Sequence, residues 1–235
     1  VDVNLLKAWL DGCTRWHEGV CDRDIRTVDS APLNLRLVDV RNLCVVKMSK
    51  GEVPEYVALS YMWGSQKMKE ETGMEPAILL RKNIEFDANG DEMTPLRKNL
   101  PKTIEDAINL TRMLGYRYLW NDALCIIQDN SLEDKIPDLT NMKVIYSSSS
   151  LTIAAAGGAH ADYGIPGVSV SRKVHQFSEV VDGLRLATMF PSYTDLENSS
   201  SLLWNTRGWT FQEKLLSKRL LLFTDYQVYF KCSES

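Results

Sequence analysis

Short, continuous apolar segments that alternate with helical patterns are the feature that most restricts the fold of this chain. Three of them, Tyr56–Tyr61, Tyr118–Trp120 and Leu151–Ala156, are typical of strands buried on both faces of a parallel sheet. Amphipathic helical patterns separate them at 101–114 and 133–147. The order strand, helix, strand, helix, strand predicts an α/β fold with parallel strands and right-handed connections.

Proline and glycine mark the ends of the first of these helices. Pro101 suits the first helical position, and Gly115 suits a helix end. The segment that follows, Tyr118–Ile127, is predicted as a strand interrupted at Asn121 and Asp122. Because Asp122 is a polar group within an apolar run, its side chain should have a partner or face a site.

Both ends of the chain add elements to this core. Helical spacing predicts an amphipathic helix over 5–17, and alternating residues within 32–46 predict two strands. We therefore expect residues 1–55 to form an extension, a helix plus strands, that packs on a core at 56–235. Within that core, 184–190 is predicted as a strand and 219–230 as a hairpin.

Composition excludes several classes of protein. The 235 residues are 44% hydrophobic and 25% charged, as in an ordinary globular domain. The net charge of −4 lacks the basic footprint of a nucleic-acid-binding protein, and the longest apolar runs are too short to span a bilayer. Five cysteines, an odd number, without a signal peptide predict reduced thiols and a cytoplasmic location.

A possible metal site lies near the start of the chain. Cys13, His17 and Cys21 recur at intervals of four residues, and three soft ligands on one helical face could bind zinc. No fourth ligand is evident in the sequence, no second Cys-x-x-Cys pair exists, and Gly19 interrupts the spacing. We therefore predict buried or half-buried structural side chains here and no metal site.

Cys125 is a second cysteine with two interpretations. It follows Asp122 closely and could act as a nucleophile, but none of the three histidines stands in a recognised relation to it. The sequence therefore favours a structural thiol.

The segment from Arg207 to Leu216 contains several side chains that could take part in catalysis or binding. Trp209 and Glu213 are four residues apart, so a helix would place them on one face. A large aromatic side chain beside a carboxylate could remove water from it and shift its pKa. The alternative is that Trp209 anchors the core and Glu213 is a carboxylate favoured by the helix dipole.

Five blocks of the sequence together resemble the fungal heterokaryon-incompatibility (HET) domain. They are Tyr56–Gly64, Leu100–Ala107, Tyr118–Gln128, Met142–Ala155 and Arg207–Arg219. The blocks occur in the order typical of that family. The resemblance implies a fungal intracellular protein that triggers cell death when non-self is detected.

HET domains in turn resemble Toll/interleukin receptor (TIR) domains. This implies a TIR-like, flavodoxin-like α/β fold with a mostly parallel sheet flanked by helices, extra β-hairpins and an N-terminal helical extension. In TIR enzymes that cleave NAD+, a Trp-Cys-x-x-Glu helix carries the catalytic glutamate. Trp209 and Glu213 have the same spacing, whereas Thr210 replaces the cysteine.

This second resemblance implies a site for NAD+, as a substrate and not as a cofactor, at the carboxyl ends of the parallel strands. Glu213 would stabilise an oxocarbenium-like transition state at the nicotinamide ribose. Trp63 or Trp209 could stack on a ring, and Arg207 could hold a phosphate or pair with Asp122 or Glu213. The candidate substrate-binding residues are Ser60, Tyr61, Trp63, Gly64, Asp122, Arg207, Trp209 and Gln212.

A non-catalytic role is the main alternative. The chain could be a signalling module that self-associates, responds to an upstream sensor of non-self and recruits partners. Glu213 and Trp209 would then be core or interface residues. A third possibility, a thiol hydrolase, depends on Cys125 as the nucleophile.

Overall fold

The computed structural model describes residues 1–21, 34–64, 77–197, 199 and 202–234. Within these ranges, the centre of the molecule is a sheet of eight strands. The strands of this sheet are β1 (Arg36–Asp39), β2 (Cys44–Lys47), β3 (Tyr56–Tyr61), β4 (Met93–Pro95), β5 (Tyr118–Trp120), β6 (Leu151–Ala155), β9 (Arg219–Phe223) and β10 (Val228–Cys232). Strands β7 (Ser178–Val181) and β8 (Leu184–Ala187) form a separate, exposed hairpin.

Helices accompany the sheet. They are α1 (Val3–Trp16), α2 (Lys102–Leu114), α3 (Asp122–Cys125), α4 (Leu132–Ser148), α5 (Tyr193–Glu197) and α6 (Gly208–Leu216), with 3-10 turns at Arg81–Asn83 and Leu203–Thr206. Helix α1 packs on α2, and α4 packs on α6. No helix in the described ranges is both long enough and apolar enough to cross a bilayer.

The strand order explains where a site can form. Across the sheet the order is β10-β9-β6-β3-β5-β1-β2-β4. The four central strands β9, β6, β3 and β5 are parallel, whereas β10 on one side and β1, β2 and β4 on the other pair antiparallel. The predicted α/β class with a parallel centre flanked by helices is confirmed, and the complete sheet is mixed.

The N-terminal region contributes directly to this sheet. Strand β1 pairs with β5, and β2 extends the sheet beyond it. The predicted first helix is confirmed as α1, and Asp2 caps it by accepting hydrogen bonds from the backbone N–H groups of Asn4 (2.9 Å) and Leu5 (3.2 Å). Residues 32 and 33 of the predicted first strand lie outside the described residues. The division of the chain at residue 55 stays a prediction.

The strand predicted over 118–127 is wrong in its second half. After β5 ends at Trp120, the side chain of Asn121 accepts a hydrogen bond from the backbone N–H of Leu124 at 3.1 Å. This N-cap starts the short helix α3, because a local side-chain bond competes with strand pairing. The chain then forms an isolated parallel bridge from Ile127 to Leu79.

Asp39 holds together the turn between β1 and β2. Its carboxylate accepts hydrogen bonds from Arg117 Nε (3.0 Å) and Nη2 (2.8 Å), and from the backbone N–H groups of Arg41 (2.9 Å) and Asn42 (3.1 Å). Burial alone would raise the pKa of Asp39, but these hydrogen bonds outweigh burial and hold that pKa below its ordinary value.

Asp39→Asn is expected to lower the free energy of unfolding by about 1.5–3 kcal/mol at pH 7, since it removes the charge from this network. A depressed carboxyl pKa stabilises the fold above the unfolded pKa of about 3.9, and this contribution is lost as the pH falls through the folded pKa. The difference between wild type and variant should therefore shrink near pH 3. Urea denaturation at both pH values measures it. Asp91→Asn, at an exposed position, is the control, and an equal loss there would contradict this account.

Candidate functional site

At the carboxyl ends of the central strands β3 and β6, the chain leaves the sheet in two loops that lie side by side. Gly64, just beyond β3, has a φ of +89°, and a Cβ atom at this position would lie 2.9 Å from the Cβ of His160 in the loop after β6. The two loops are therefore in direct contact. A side chain at Gly64 would separate them, and the positive φ favours glycine as well.

Glu213, on α6, lies near the carboxyl end of β3, and only 3% of its surface is exposed. The hydroxyl of Ser60, in β3, donates a hydrogen bond to its carboxylate. The indole Nε1–H of Trp204 donates to the same Ser60 oxygen at 2.7 Å. Because an indole N–H can only donate, Ser60 accepts from Trp204 and directs its single proton to Glu213. The chain of bonds fixes the orientation of the carboxylate.

Arg207 and Asp122 lie close to Glu213. Arg207 is the residue just before α6, and its guanidinium donates a hydrogen bond to the carbonyl oxygen of Tyr61. The indole Nε1–H of Trp63 donates to both carboxylate oxygens of Asp122, at 3.1 and 3.0 Å. The expectation that Asp122 has a partner or faces a site is therefore met, because it fixes the ring of Trp63.

Charge coupling joins these groups. The pKa of Asp122 is raised to about 6, chiefly by burial and also by the charge of Glu213, although Arg207 and the Trp63 hydrogen bond oppose the shift. Burial also raises the pKa of Glu213, against the Ser60 hydrogen bond, the Arg207 charge and a hydrogen bond with Tyr146. The positive charge of Arg207 thus lowers the pKa of both carboxyl groups, against the effect of burial. Perturbed acids of this kind are concentrated at functional sites.

Two predicted site residues lie apart from this cluster. Trp209 is 46% exposed, and Gln212 is exposed beside it. Both line a surface groove of about 350 Å³ together with Ile136, Thr140 and Lys143 of α4. Ile136 in this groove is 53% exposed. The aromatic side chain that is linked to Glu213 through Ser60 is Trp204.

Trp204 and Tyr146 are the members of the site that sequence reasoning missed. Trp204 lies in the 3-10 turn before α6 and outside the recognised blocks. Tyr146 lies within a recognised block but is not among the predicted site residues. Its hydroxyl oxygen lies 3.3 Å from the carbonyl oxygen of Leu59 and neighbours the carboxylate of Glu213. Side chains alternate between the two faces of the sheet along β3, and Ser60 points to the face on which α6 packs. A polar side chain within this apolar strand could have indicated a hydrogen-bond partner on that face.

The thiol of Cys125 is poorly suited to act as a nucleophile. It is buried, and its sulfur accepts a hydrogen bond from the backbone N–H of Asn121 at 3.5 Å. Burial raises its pKa to about 12, so the protonated thiol dominates at neutral pH. The structural interpretation of Cys125 fits this environment.

The four residues Cys13, His17, Cys21 and Cys232 form a second cluster, which shares no residue with the site around Glu213. Their candidate ligand atoms all lie within 4.8 Å of one another. The sequence pattern found the first three and missed Cys232, because strand pairing brings it back from the far end of the chain. The expectation that the first three lack a fourth potential ligand is therefore wrong.

Comparison with known proteins identifies the family. Residues 56–213 match the family described as Heterokaryon incompatibility protein (HET). Because this match covers more than half of the 235 residues, the chain belongs to the HET family. It is 28% identical over 144 residues to Heterokaryon incompatibility protein 6, OR allele, of Neurospora crassa, and the match covers 59% of this chain and 19% of that protein. The chain thus spans about a fifth of the length of that relative. No solved structure matches the chain.

Glu213→Gln is expected to stabilise the protein at neutral pH. A raised carboxyl pKa means that ionised Glu213 destabilises the fold above the folded pKa, and this cost disappears as the pH falls below the unfolded pKa of about 4.3. The neutral amide should therefore raise Tm by about 2–5 °C at pH 7.5 and have little effect at pH 4. Scanning calorimetry at the two pH values measures this. Glu55→Gln, at an exposed position, is the control. A lower Tm for Glu213→Gln at pH 7.5 would contradict the prediction.

Proposed function

We propose that this chain is a cell-death effector domain of heterokaryon incompatibility that hydrolyses NAD+ to nicotinamide and ADP-ribose. The observation that carries the proposal is the oriented, buried Glu213 beside Arg207, next to the carboxyl end of β3. Family membership and the name of the Neurospora relative support the incompatibility role. The chemistry rests on the site and on the proposed likeness to TIR enzymes.

Sheet topology supports the placement of a nucleotide. Across the sheet, the parallel strands lie in the order β5-β3-β6-β9. When these four strands are numbered by their order along the chain, this arrangement is 2-1-3-4. That is the order of the flavodoxin-type sheet, which binds its ligand where the order reverses, between the first and third strands. Here this point lies between β3 and β6, where Ser60 approaches Glu213.

The proposed reaction consumes water and breaks one bond. The glycosidic bond between nicotinamide and the ribose carbon breaks, and nicotinamide leaves as a neutral base because its ring is cationic in NAD+. Ionised Glu213 stabilises the oxocarbenium-like transition state. Water then adds its oxygen to that carbon and releases a proton, which yields ADP-ribose.

Neighbouring residues have supporting roles in this proposal. Arg207 lowers the cost of keeping Glu213 ionised in its buried position. Trp63, held by two hydrogen bonds to Asp122, offers a fixed and half-exposed ring on which a base can stack. Because Trp209 and Gln212 lie on the outer face, we assign them to assembly or recruitment and not to direct contact with substrate.

A second candidate function is a self-associating module that recruits partners without catalysis. The observation that favours it is the exposed apolar surface of α6, where Trp209 is 46%, Phe211 67% and Leu215 68% exposed. Exposed apolar surface of this kind is typical of interaction sites. An upstream sensor of non-self and a cytoplasmic location remain part of both proposals.

Expression in fungal cells separates the two functions. If the chain is an NAD+ hydrolase, the cellular NAD+ pool should fall before viability is lost, and Glu213→Gln should spare both. If the chain acts only by recruitment, Glu213→Gln should kill like the wild type, with NAD+ unchanged before death, and Phe211→Ser should abolish killing. Immunoblots of matched expression provide the control.

A further inference from the structure

The cluster of Cys13, His17, Cys21 and Cys232 joins the two ends of the described chain. Cys13, Cys21 and Cys232 are each less than 5% exposed and pack in one group with Phe230. His17 is half-buried at the edge of the group. Three thiols and an imidazole are thus concentrated in one place, away from the candidate catalytic residues.

Distances within the cluster fit a tetrahedral ion. His17 Nδ1 lies 3.2 Å from Cys232 Sγ and 3.8 Å from Cys21 Sγ. All four ligand atoms lie within 4.8 Å of one another. Zinc–sulfur bonds of about 2.3 Å in tetrahedral geometry imply sulfur–sulfur distances of about 3.8 Å. The ligand atoms therefore need to close by roughly 1 Å at most around a central ion.

Local backbone structure holds three of the ligands in place. Helix α1 ends at Trp16, and the N–H of His17 donates to the carbonyl of Cys13 at 3.0 Å. The N–H of Cys21 in turn donates to the carbonyl of His17 at 3.1 Å. The last turn of α1 places His17 next to Cys13, and the turn that follows the helix places Cys21 next to His17. The three side chains therefore converge on a common point. Strand β10 supplies Cys232 from its last position.

Arg219 supplies a compensating positive charge. It is 6% exposed, it is paired with Cys232 in the register of β9 and β10, and its Nε–H donates to Cys13 Sγ at 3.2 Å. Three thiolates, a neutral imidazole and a divalent ion carry a net charge of −1. A buried guanidinium beside one sulfur offsets that charge, as partners beyond the ligands commonly do at metal sites.

We propose that Cys13, His17, Cys21 and Cys232 bind a structural Zn²⁺ ion. Three sulfurs and one imidazole nitrogen are a ligand set typical of structural zinc, and four protein ligands leave no open position for catalysis. The ion links the end of α1 to the last strand of the sheet. It therefore anchors the N-terminal helix to the C-terminal edge of the HET domain.

Metal analysis of the purified 235-residue chain tests the proposal without any variant. Purified under reducing conditions without chelator, the protein should contain about one zinc per chain by inductively coupled plasma mass spectrometry. Co²⁺ exchanged into the same protein should give the visible absorption of a tetrahedral cobalt–thiolate centre. Removal of the metal by a chelator should lower Tm by roughly 10 °C.

Variants locate the ion. His17→Ala, at a half-buried position, and Cys232→Ser should each reduce bound zinc severalfold or more, whereas Cys44→Ala should retain it because Cys44 lies outside the cluster. Three results would overturn the proposal: a chain that takes up no zinc or cobalt on titration, zinc content unchanged in both cluster variants, or a disulfide between two of these cysteines in the folded protein.

Discussion

Glu213→Gln is expected to reduce nicotinamide release from NAD+ by at least about 100-fold. The amide nearly matches the carboxylate in size and can still accept the Ser60 hydroxyl, so the local structure should persist. It lacks the negative charge that stabilises the oxocarbenium-like transition state. Loss of rate without loss of structure is the expected mark of a residue used in chemistry.

Release of nicotinamide and ADP-ribose is measured by chromatography on wild type and variant at equal concentration. Glu55→Gln is the matched control, because it makes the same chemical change at an exposed position outside the site and outside α6. It should retain activity within about twofold. Equal activity of Glu213→Gln and wild type would remove Glu213 from the mechanism, even if the chain proves to be an enzyme.

Trp204→Ala is expected to cause the largest loss of stability among single changes near the site. Trp204 is 1% exposed and packs in a core cluster with Leu196, Leu220 and Leu222. Truncation of a buried tryptophan costs about 3–5 kcal/mol, which corresponds to a fall in Tm on the order of 10 °C for a chain of this size.

The control for packing is Leu203→Ala, because Leu203 is adjacent but 51% exposed and should change the free energy of unfolding by less than about 0.5 kcal/mol. Trp204→Phe tests the second role of this residue. It keeps most of the volume but removes the N–H that donates to Ser60, so it should impair activity more than stability. Similar stability of Trp204→Ala and wild type would contradict the core assignment.

Local patterns predicted the centre of the fold well. Strands β3 and β6 are continuous apolar runs and are buried along their whole length. Helix α2 begins just after Pro101 and ends before Gly115, which has a left-handed φ of 99°. The segment after Trp120 was predicted incorrectly because one side-chain hydrogen bond, from the cap residue Asn121, outweighed the apolar composition of 123–127.

The sequence predicted only those site residues that lie within a recognised motif. The sequence identified Glu213, Ser60, Arg207 and Asp122, and the fold brings these four together. Trp204 and Cys232 were missed because their partners are 144 and 215 residues away, and no local period encodes such contacts. Trp209 was included in the predicted site because of its helical spacing to Glu213, but its side chain is 46% exposed and lies outside the site.

Nicotinamide release by the purified chain is the most direct test of the proposed chemistry. It should be measured at low and high protein concentration and on protein clustered artificially, since we propose that the exposed apolar surface of α6 mediates assembly. Our account predicts release of nicotinamide and ADP-ribose in equal amounts, with a rate per chain that rises on clustering. Absence of release from clustered, folded protein would contradict NAD+ cleavage and favour the recruitment module.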